Sequence, residues 1–317
     1  MVSFVPRFFA RLGRAGYLSR AVCLVGCGVA LNGCSVIPTV VSAATDFCTP
    51  TAEPTHRYFG RPKSDHLVIF VHGFCGDSKT TWTNKETSFD FPKELARELG
   101  NAYVFSFDYA RGLERAPSIP SVAAHLEFEI NLLLKQHPYR SIRFVTHSMG
   151  GIVSREYILR HYDMSKQPRI THLVLLASPS NGSELADLRV LIPENRQIEA
   201  MRHVDKGNSY LESLNDRWSR AFKDSGHPYF ILVFAGYEEK PLTVVGKPVK
   251  FSSAIMNADT RLGFQKNHNE MAAPLGASDV LYRWTKEALS ESLHARVDRE
   301  HQSYQNLYYQ GQRRGSP

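Results

Sequence analysis

The run Phe-Val-Thr-His-Ser-Met-Gly-Gly-Ile-Val, residues 144–153, constrains this chain more than any other stretch. Ile142, Phe144 and Val145 read as a short buried strand, too short for a helix and rich in β-formers. Gly150 to Tyr162 predicts a helix, with Val153, Tyr157 and Leu159 close to helical spacing. Ser148 therefore stands on a sharp strand-to-helix turn. Such a turn forces unusual backbone angles on the serine and needs a neighbour without a side chain, which Gly150 supplies. It pushes the hydroxyl out at the carboxyl end of the strand. It also aims the Met149 amide into the same space, beside the positive end of a helix dipole. An exposed nucleophile next to a donor for developing negative charge is what acyl transfer requires. The usual pattern is Gly-x-Ser-x-Gly; here Thr146, small and β-branched, replaces the first glycine. In isolation, a Ser-Met-Gly-Gly turn without chemistry would read the same way.

A second apolar strand, Leu67 to Val71, runs into His72-Gly73-Phe74-Cys75-Gly76-Asp77. Gly73 lets this loop approach closely, and the Phe74 N–H is the candidate second oxyanion donor. His72 lies on the wrong element to be a base and reads as a residue that ties the loop down. His147 reads as structural too, pointing away from the nucleophile as the next residue along a strand.

These segments, VHGFCGD (71–77), FSFDY (105–109) and THSMGG (146–151), with the late histidine of NHNEMAAP (267–274), resemble the α/β-hydrolase fold of lipases and esterases. They follow the chain order of that family over roughly residues 61–295. The style is similar to the branch of inositol deacylases acting on glycosyl-phosphatidylinositol and of serine-active-site proteins of phospholipid remodelling. There a final His is followed by an aliphatic residue and a Pro, as His268, Met271 and Pro274 are here. A Trp soon after the oxyanion loop corresponds to Trp82. The expected fold class is α/β: strands alternating with helical stretches give a mostly parallel central sheet with helices on both faces, plus a helical cap insertion.

The resemblance implies a base near the C-terminus, after the last strand. With 13 histidines, composition selects none. Position selects His268, directly after a predicted last strand at Leu262 to Lys266; a helix follows from about Asp279 to His294, and His294 and His301 read as solvated. The acid should follow the strand before, predicted at Tyr229 to Phe234. Glu238 is the first candidate, because the branch often carries a Tyr-Glu pair there; Glu239 and Asp259 are the alternatives. Asp108 comes too early and reads as a loop or capping contact. No carboxylate stands after the predicted strand His172 to Leu176, where some lipases place theirs.

Residues 1–33 contain Arg7, Arg11, Arg14 and Arg20 and no acid, so they carry four of the chain's net +7 charges. Nothing in the remainder points to nucleic acid. The apolar run Ala21 to Leu31 is too short for a comfortable membrane span. It ends in Leu31-Asn32-Gly33-Cys34-Ser35, which resembles a bacterial lipobox with Cys34 as the lipidated residue. The motif implies a lipid-anchored protein of the cell envelope, and Ser35 after the Cys, rather than Asp, resembles retention at the outer membrane, facing the periplasm. A signal peptide cut near Ala43-Ala44 and an uncleaved short anchor are the competing readings. Cys23 and Cys27 would leave with the leader. Cys48 and Cys75 remain, either bridged in an oxidising compartment or as free buried thiols. No cysteine or histidine spacing suggests zinc, and no cofactor is expected.

At 317 residues and 43% hydrophobic content, the chain can bury one large core or two small ones. The expected organisation is a leader (1–33), a tether (34–63), a hydrolase domain (64–295) and a polar tail (296–317). Helices are predicted at Phe91 to Leu99, with Pro92 at its start and Gly100 closing it, and at Val122 to Gln136. The cap falls at about 183–226, where Leu185, Leu188 and Leu191-Ile192, then Tyr210, Leu211, Leu214, Trp218 and Phe222, suit amphipathic helices. It is either a cap packed on the core or a lid whose apolar face meets acyl chains. The expected activity is cleavage of acyl or lipid esters by Ser148, His268 and Glu238. Thioesterase, amidase or acyltransferase chemistry would use the same residues. The alternative of another class is a non-catalytic lipoprotein binding module. Oligomeric state is not legible.

Overall fold

The structure, a computed structural model, describes residues 48, 53–112, 116–162, 169–184, 186, 194–222, 231–241, 248–256 and 258–292. The leader with Cys34, the positions Leu185, Leu188, Leu191, Ile192, Tyr229 and Phe230, His294, His301 and the tail lie outside these residues. Among the described residues, seven strands form one sheet in the order β1-β3-β2-β4-β5-β6-β7. They are β1 (Arg57–Gly60), β2 (His66–Val71), β3 (Ala102–Phe107), β4 (Ser141–His147), β5 (Arg169–Leu176), β6 (Leu232–Glu238) and β7 (Thr260–Phe264). β1 runs antiparallel to β3, and every other pair is parallel. Near-continuous apolar runs such as Leu67–Val71, all fully buried, are what strands covered on both faces require.

The covering helices are α1 (Phe91–Leu99), α2 (Ile119–Gln136), α3 (Met149–His161), α4 (Arg196–Ala200), α5 (Ser209–Phe222), α6 (Phe251–Ala254) and α7 (Val280–Ser290). Alternate residues of each strand feed two cores. Leu67, Ile69 and Val71 pack with α2, α3 and α5 on one face. Val68 and Phe70 pack with α1 and α7 on the other. β2 is flanked by β3 on one side and β4 on the other, so the chain winds outward in both directions from it. The crevice at the carboxyl ends of β2 and β4 is the topological switch point where sheets of this kind bind ligands.

Helix α1 matches its sequence prediction because its stops are encoded: Asp90 accepts from the Lys93 N–H, and Gly100 closes the helix at φ 65°. Helix α2 starts three residues before the predicted Val122, since Ser118 caps it and Pro120 fits its first turn. Three expectations need correction. Residues 57–60, within the predicted tether, form the edge strand β1. The predicted strand 229–234 runs instead through Glu238, because β5 pairs with β6 as far as Gly236 and β7 pairs with it from Phe234 to Glu238. The last strand ends at Phe264, earlier than Lys266. In the cap region, Leu211, Leu214 and Trp218 of α5 are fully buried and share one core with α3, so this helix is packed onto the body. Among the described residues, no helix is long and apolar enough to cross a membrane.

Candidate active site

Ser148 follows the last residue of β4 at φ 51°, ψ −126°, a conformation that costs a non-glycine residue on the order of 1–3 kcal/mol. The surroundings hold it there. Its N–H donates to Leu176 O (2.9 Å) and its carbonyl accepts from the Gly151 N–H (3.0 Å). A Cβ on Gly150 would lie 2.1 Å from Val71 O, and one on Gly151 would lie 2.1 Å from Ser178 Oγ. The glycines let the turn sink against β2 and β5. Thr146 is tolerated at the unorthodox position because its hydroxyl is satisfied, donating to Val174 O at 3.0 Å.

His268 lies on the loop after β7. Its Nε2 is 3.0 Å from Ser148 Oγ, and its Nδ1 is 2.6 Å from Glu238 Oε2. The other Glu238 oxygen accepts from the Val249 N–H at 3.1 Å. All three side chains are buried. The alternative acids are displaced. Strand alternation turns Glu239 away from its neighbour's side, and it is held by the Gln265 amide. Asp259 accepts from the Val233 N–H (2.9 Å) near the start of β6, and Val233 stands roughly 16 Å along the strand from Glu238 at a rise of about 3.3 Å per residue.

The loop that carries the candidate oxyanion donor is held through two neighbouring carbonyls, and the Tyr109 hydroxyl lies 2.8 Å from the first of them, His72 O. Gly73 O is approached by His72 Nδ1 (2.9 Å), the Tyr109 hydroxyl (3.1 Å) and the Gly76 N–H (3.1 Å). A trans peptide is planar, so holding that oxygen fixes the opposite direction of the Phe74 N–H. Among the described residues, neither the Phe74 nor the Met149 amide is paired with a protein acceptor. His72 stacks on Tyr109 at 4.0 Å, and its Nε2 is 3.1 Å from Asp108 Oδ1. Burial works against ionisation of Asp108, but hydrogen bonds from His72 and the Thr55 amide override it, and the carboxyl lies below its ordinary range. Burial raises the Tyr109 hydroxyl well above its ordinary value, so it remains a donor. The sequence reading missed Tyr109; its place at the end of FSFDY, beside a carboxylate, was the available signal. Cys75, in the left-handed region at φ 58°, is disulfide-bonded to Cys48. The bridge fastens the oxyanion loop one residue beyond Phe74.

His147 does not simply point away. Its Nε2–H donates to the His268 carbonyl at 2.9 Å. A cleft of about 570 Å³ opens beside the site, bordered by Gly73, Phe74, Thr83, Arg111, His147 and Asn269. A cavity of about 360 Å³, between α7 and the starts of β6 and β7, is at the opposite end of the sheet. Elsewhere His56, His125 and Glu129 bring potential ligand atoms within 4.8 Å of one another. The Asp108 N–H donates to His56 Nδ1 (3.0 Å), which puts the ring proton on Nε2 and removes that lone pair from any ion.

Sequence comparison shows the family. The model of the alpha/beta hydrolase family matches residues 68–244, more than half of the chain. The chain belongs to that family. This hydrolase is also similar to protein SERAC1 of Bos taurus, 24% identical over 278 residues that cover 76% of this chain and 40% of that protein. SERAC1 of Danio rerio is 23% identical over 270 residues, covering 72% and 39%. The hydrolase thus spans about two fifths of the length of the curated relatives it matches. Among solved structures, the mature lipase BlEst2 of Bacillus licheniformis gives a TM-score of 0.49 at 17% identity, covering 70% of this chain and 94% of that one. The phospholipase PlaB of Legionella pneumophila gives 0.41 at 19% identity, covering 55% and 39%.

Proposed function

We propose that this protein is a serine hydrolase of acyl or lipid esters that works through an acyl-enzyme, with Ser148 as nucleophile, His268 as base and Glu238 as the orienting acid. The observation that carries the reading is the continuous line from Ser148 Oγ through the imidazole to Glu238, at 3.0 and 2.6 Å. His268 Nε2 takes the hydroxyl proton as Ser148 Oγ attacks the ester carbonyl. Negative charge collects on the carbonyl oxygen, facing the Phe74 and Met149 amides at the start of α3. Glu238 stabilises the imidazolium and keeps Nδ1 protonated, so Nε2 is the atom that exchanges protons with substrate. The imidazolium then gives its proton to the departing alcohol as the carbon–oxygen bond breaks. Water, deprotonated by the same nitrogen, cleaves the acyl-enzyme and restores Ser148.

The lipid-ester preference is supported by the resemblance to phospholipid-remodelling serine proteins. Anchorage in a bacterial envelope through Cys34 is part of the same proposal and is supported by Leu31 to Ser35. The test is labelling by a fluorophosphonate probe, with wild type labelled and Ser148→Ala unlabelled. A folded wild type that stays unlabelled refutes the reading and favours a binding module. A panel of esters of varied acyl length and head group, with and without micelles, then reports the substrate class.

A further inference from the structure

We infer that His147 is the positioning residue for the base: its Nε2–H holds the His268 main chain at the distance from which the His268 ring reaches Ser148. The inference rests on the reading of His268 as base. His147 ends β4, one residue before the nucleophile, and its 2.9 Å hydrogen bond reaches the His268 carbonyl across 121 residues of sequence. One imidazole is therefore joined to the nucleophile by a peptide bond and to the base by a hydrogen bond. The separation between Ser148 and His268 is closed by a small ring of contacts instead of by the length of the loop after β7.

The His147 ring has little freedom to relax. Its centroid lies 4.8 Å from that of His268, and Trp82 meets it edge-on at 6.4 Å. A Cβ on Gly73 would come within 3.2 Å of both His147 Nδ1 and the His147 carbonyl, so the oxyanion loop presses on it from a third side. A carbonyl partner requires the proton on Nε2. Burial, and then the neighbouring His268, push the His147 pKa down to about 3. The ring is therefore neutral at working pH and adds no positive charge against the imidazolium that forms at His268. The far end of the same loop is tied separately, by the Asn84 side-chain N–H to Ala273 O at 2.9 Å.

His172 serves as the internal comparison. It is buried like His147, and its Nε2–H also donates to a main-chain carbonyl, that of Glu291, at 2.9 Å. That bond ties α7's exit to β5, at the opposite end of the sheet, so its loss should lower stability without touching turnover.

The experiment is steady-state hydrolysis of p-nitrophenyl butyrate and the fluorophosphonate labelling rate, on variants whose folding is checked by circular dichroism. Wild-type turnover and its loss in Ser148→Ala are measured first; their absence overturns the hydrolase reading and this proposal with it. The outcomes that follow bear on His147 alone. His147→Phe, without a donor, should lose about 10- to 100-fold in kcat with KM within about twofold, the size of loss that a displacement of about 1 Å produces. His147→Gln places an amide N–H at a similar reach and should recover kcat to within about threefold of wild type. His147→Asn, too short to reach, should behave like the Phe variant and carries the comparison if Phe does not fold. His172→Phe should lower thermal stability with kcat unchanged. Folded Phe or Asn variants with kcat within threefold of wild type overturn the assignment. So does a Gln variant as impaired as Asn, or a loss confined to KM.

Discussion

Exchanging Glu238 for Gln removes one charge and keeps almost everything else. In the native protein, the carboxylate accepts from His268 Nδ1 at 2.6 Å and from the Val249 N–H at 3.1 Å. An amide can still accept from Val249, but its NH2 now faces the imidazole and donates to Nδ1. The ring proton must then move to Nε2, the nitrogen that faces Ser148, and a protonated neutral Nε2 cannot act as a base. The lost electrostatic contribution can be sized. Imidazolium and carboxylate charge centres about 4 Å apart attract by about 4 kcal/mol at an effective dielectric near 20, and each 1.36 kcal/mol is about tenfold in rate. Charge alone accounts for about a thousandfold, and the wrong tautomer adds to it, so kcat should fall by about 10³ to 10⁴ with KM little changed. Because hydrogen bonds are exchanged without net loss, the melting temperature should move by only a few degrees. Release of p-nitrophenol at saturating ester, with thermal unfolding of the same samples, checks both statements. Glu239→Gln is the matched control and should turn over like wild type. A Glu238→Gln enzyme within tenfold of wild type refutes the argument, and so does an equal loss in Glu239→Gln.

Two further outcomes follow from the same geometry. Burial, as the largest cause in each case, pushes His147 and His172 down to about 3 and His66 down to about 4. These groups bind protons less readily folded than unfolded, so their contribution to stability is complete above about pH 6.5 and is lost as pH falls, toward about 4 for His66 and about 3 for His147 and His172. The slope is up to about 1.4 kcal/mol per pH unit for each of His147 and His172. Thermal melts from pH 7 to 4.5 should show it, with a shallower slope in His172→Gln; a flat profile contradicts it. Opening the Cys48–Cys75 bridge, which spans 27 residues, should cost about 3 to 4 kcal/mol of stability on the chain-entropy account. It should also lower kcat several-fold at temperatures where the protein stays folded, because Cys75 adjoins the Phe74 amide; unchanged turnover after verified reduction rejects that coupling.

The parts of the site legible in the sequence were those with local constraints. A serine between a strand and a helix, with glycines where a Cβ would collide with Val71 O and Ser178, cannot be spaced otherwise. His268 and Glu238 were legible by resemblance and chain order, and the choice among three acids needed strand alternation, which a one-residue change reverses. The misplaced edge of β6 has a different cause: Ala235 and Gly236 have weak strand preference of their own, and pairing on both sides carries the strand through them. β1 was hidden because an edge strand is half-exposed and reads as polar chain. His147 was misread because a period of two says which face a side chain leaves from, but not what a loop 121 residues away brings to meet it. The Cys48–Cys75 pairing was open for a similar reason, since cysteine count gives parity and not distance.

Ser148, Glu238 and His268 come from three separate strand ends, and 120 residues separate Ser148 from His268. No contiguous fragment short of that span contains both side chains, and His268 arrives only when β7 docks beside β6. Hydrolysis is therefore a late property of the polypeptide. A partly made or unfolded chain carries the serine without the imidazole in place beside it, so its hydroxyl stays an ordinary one until the last of these strands has docked.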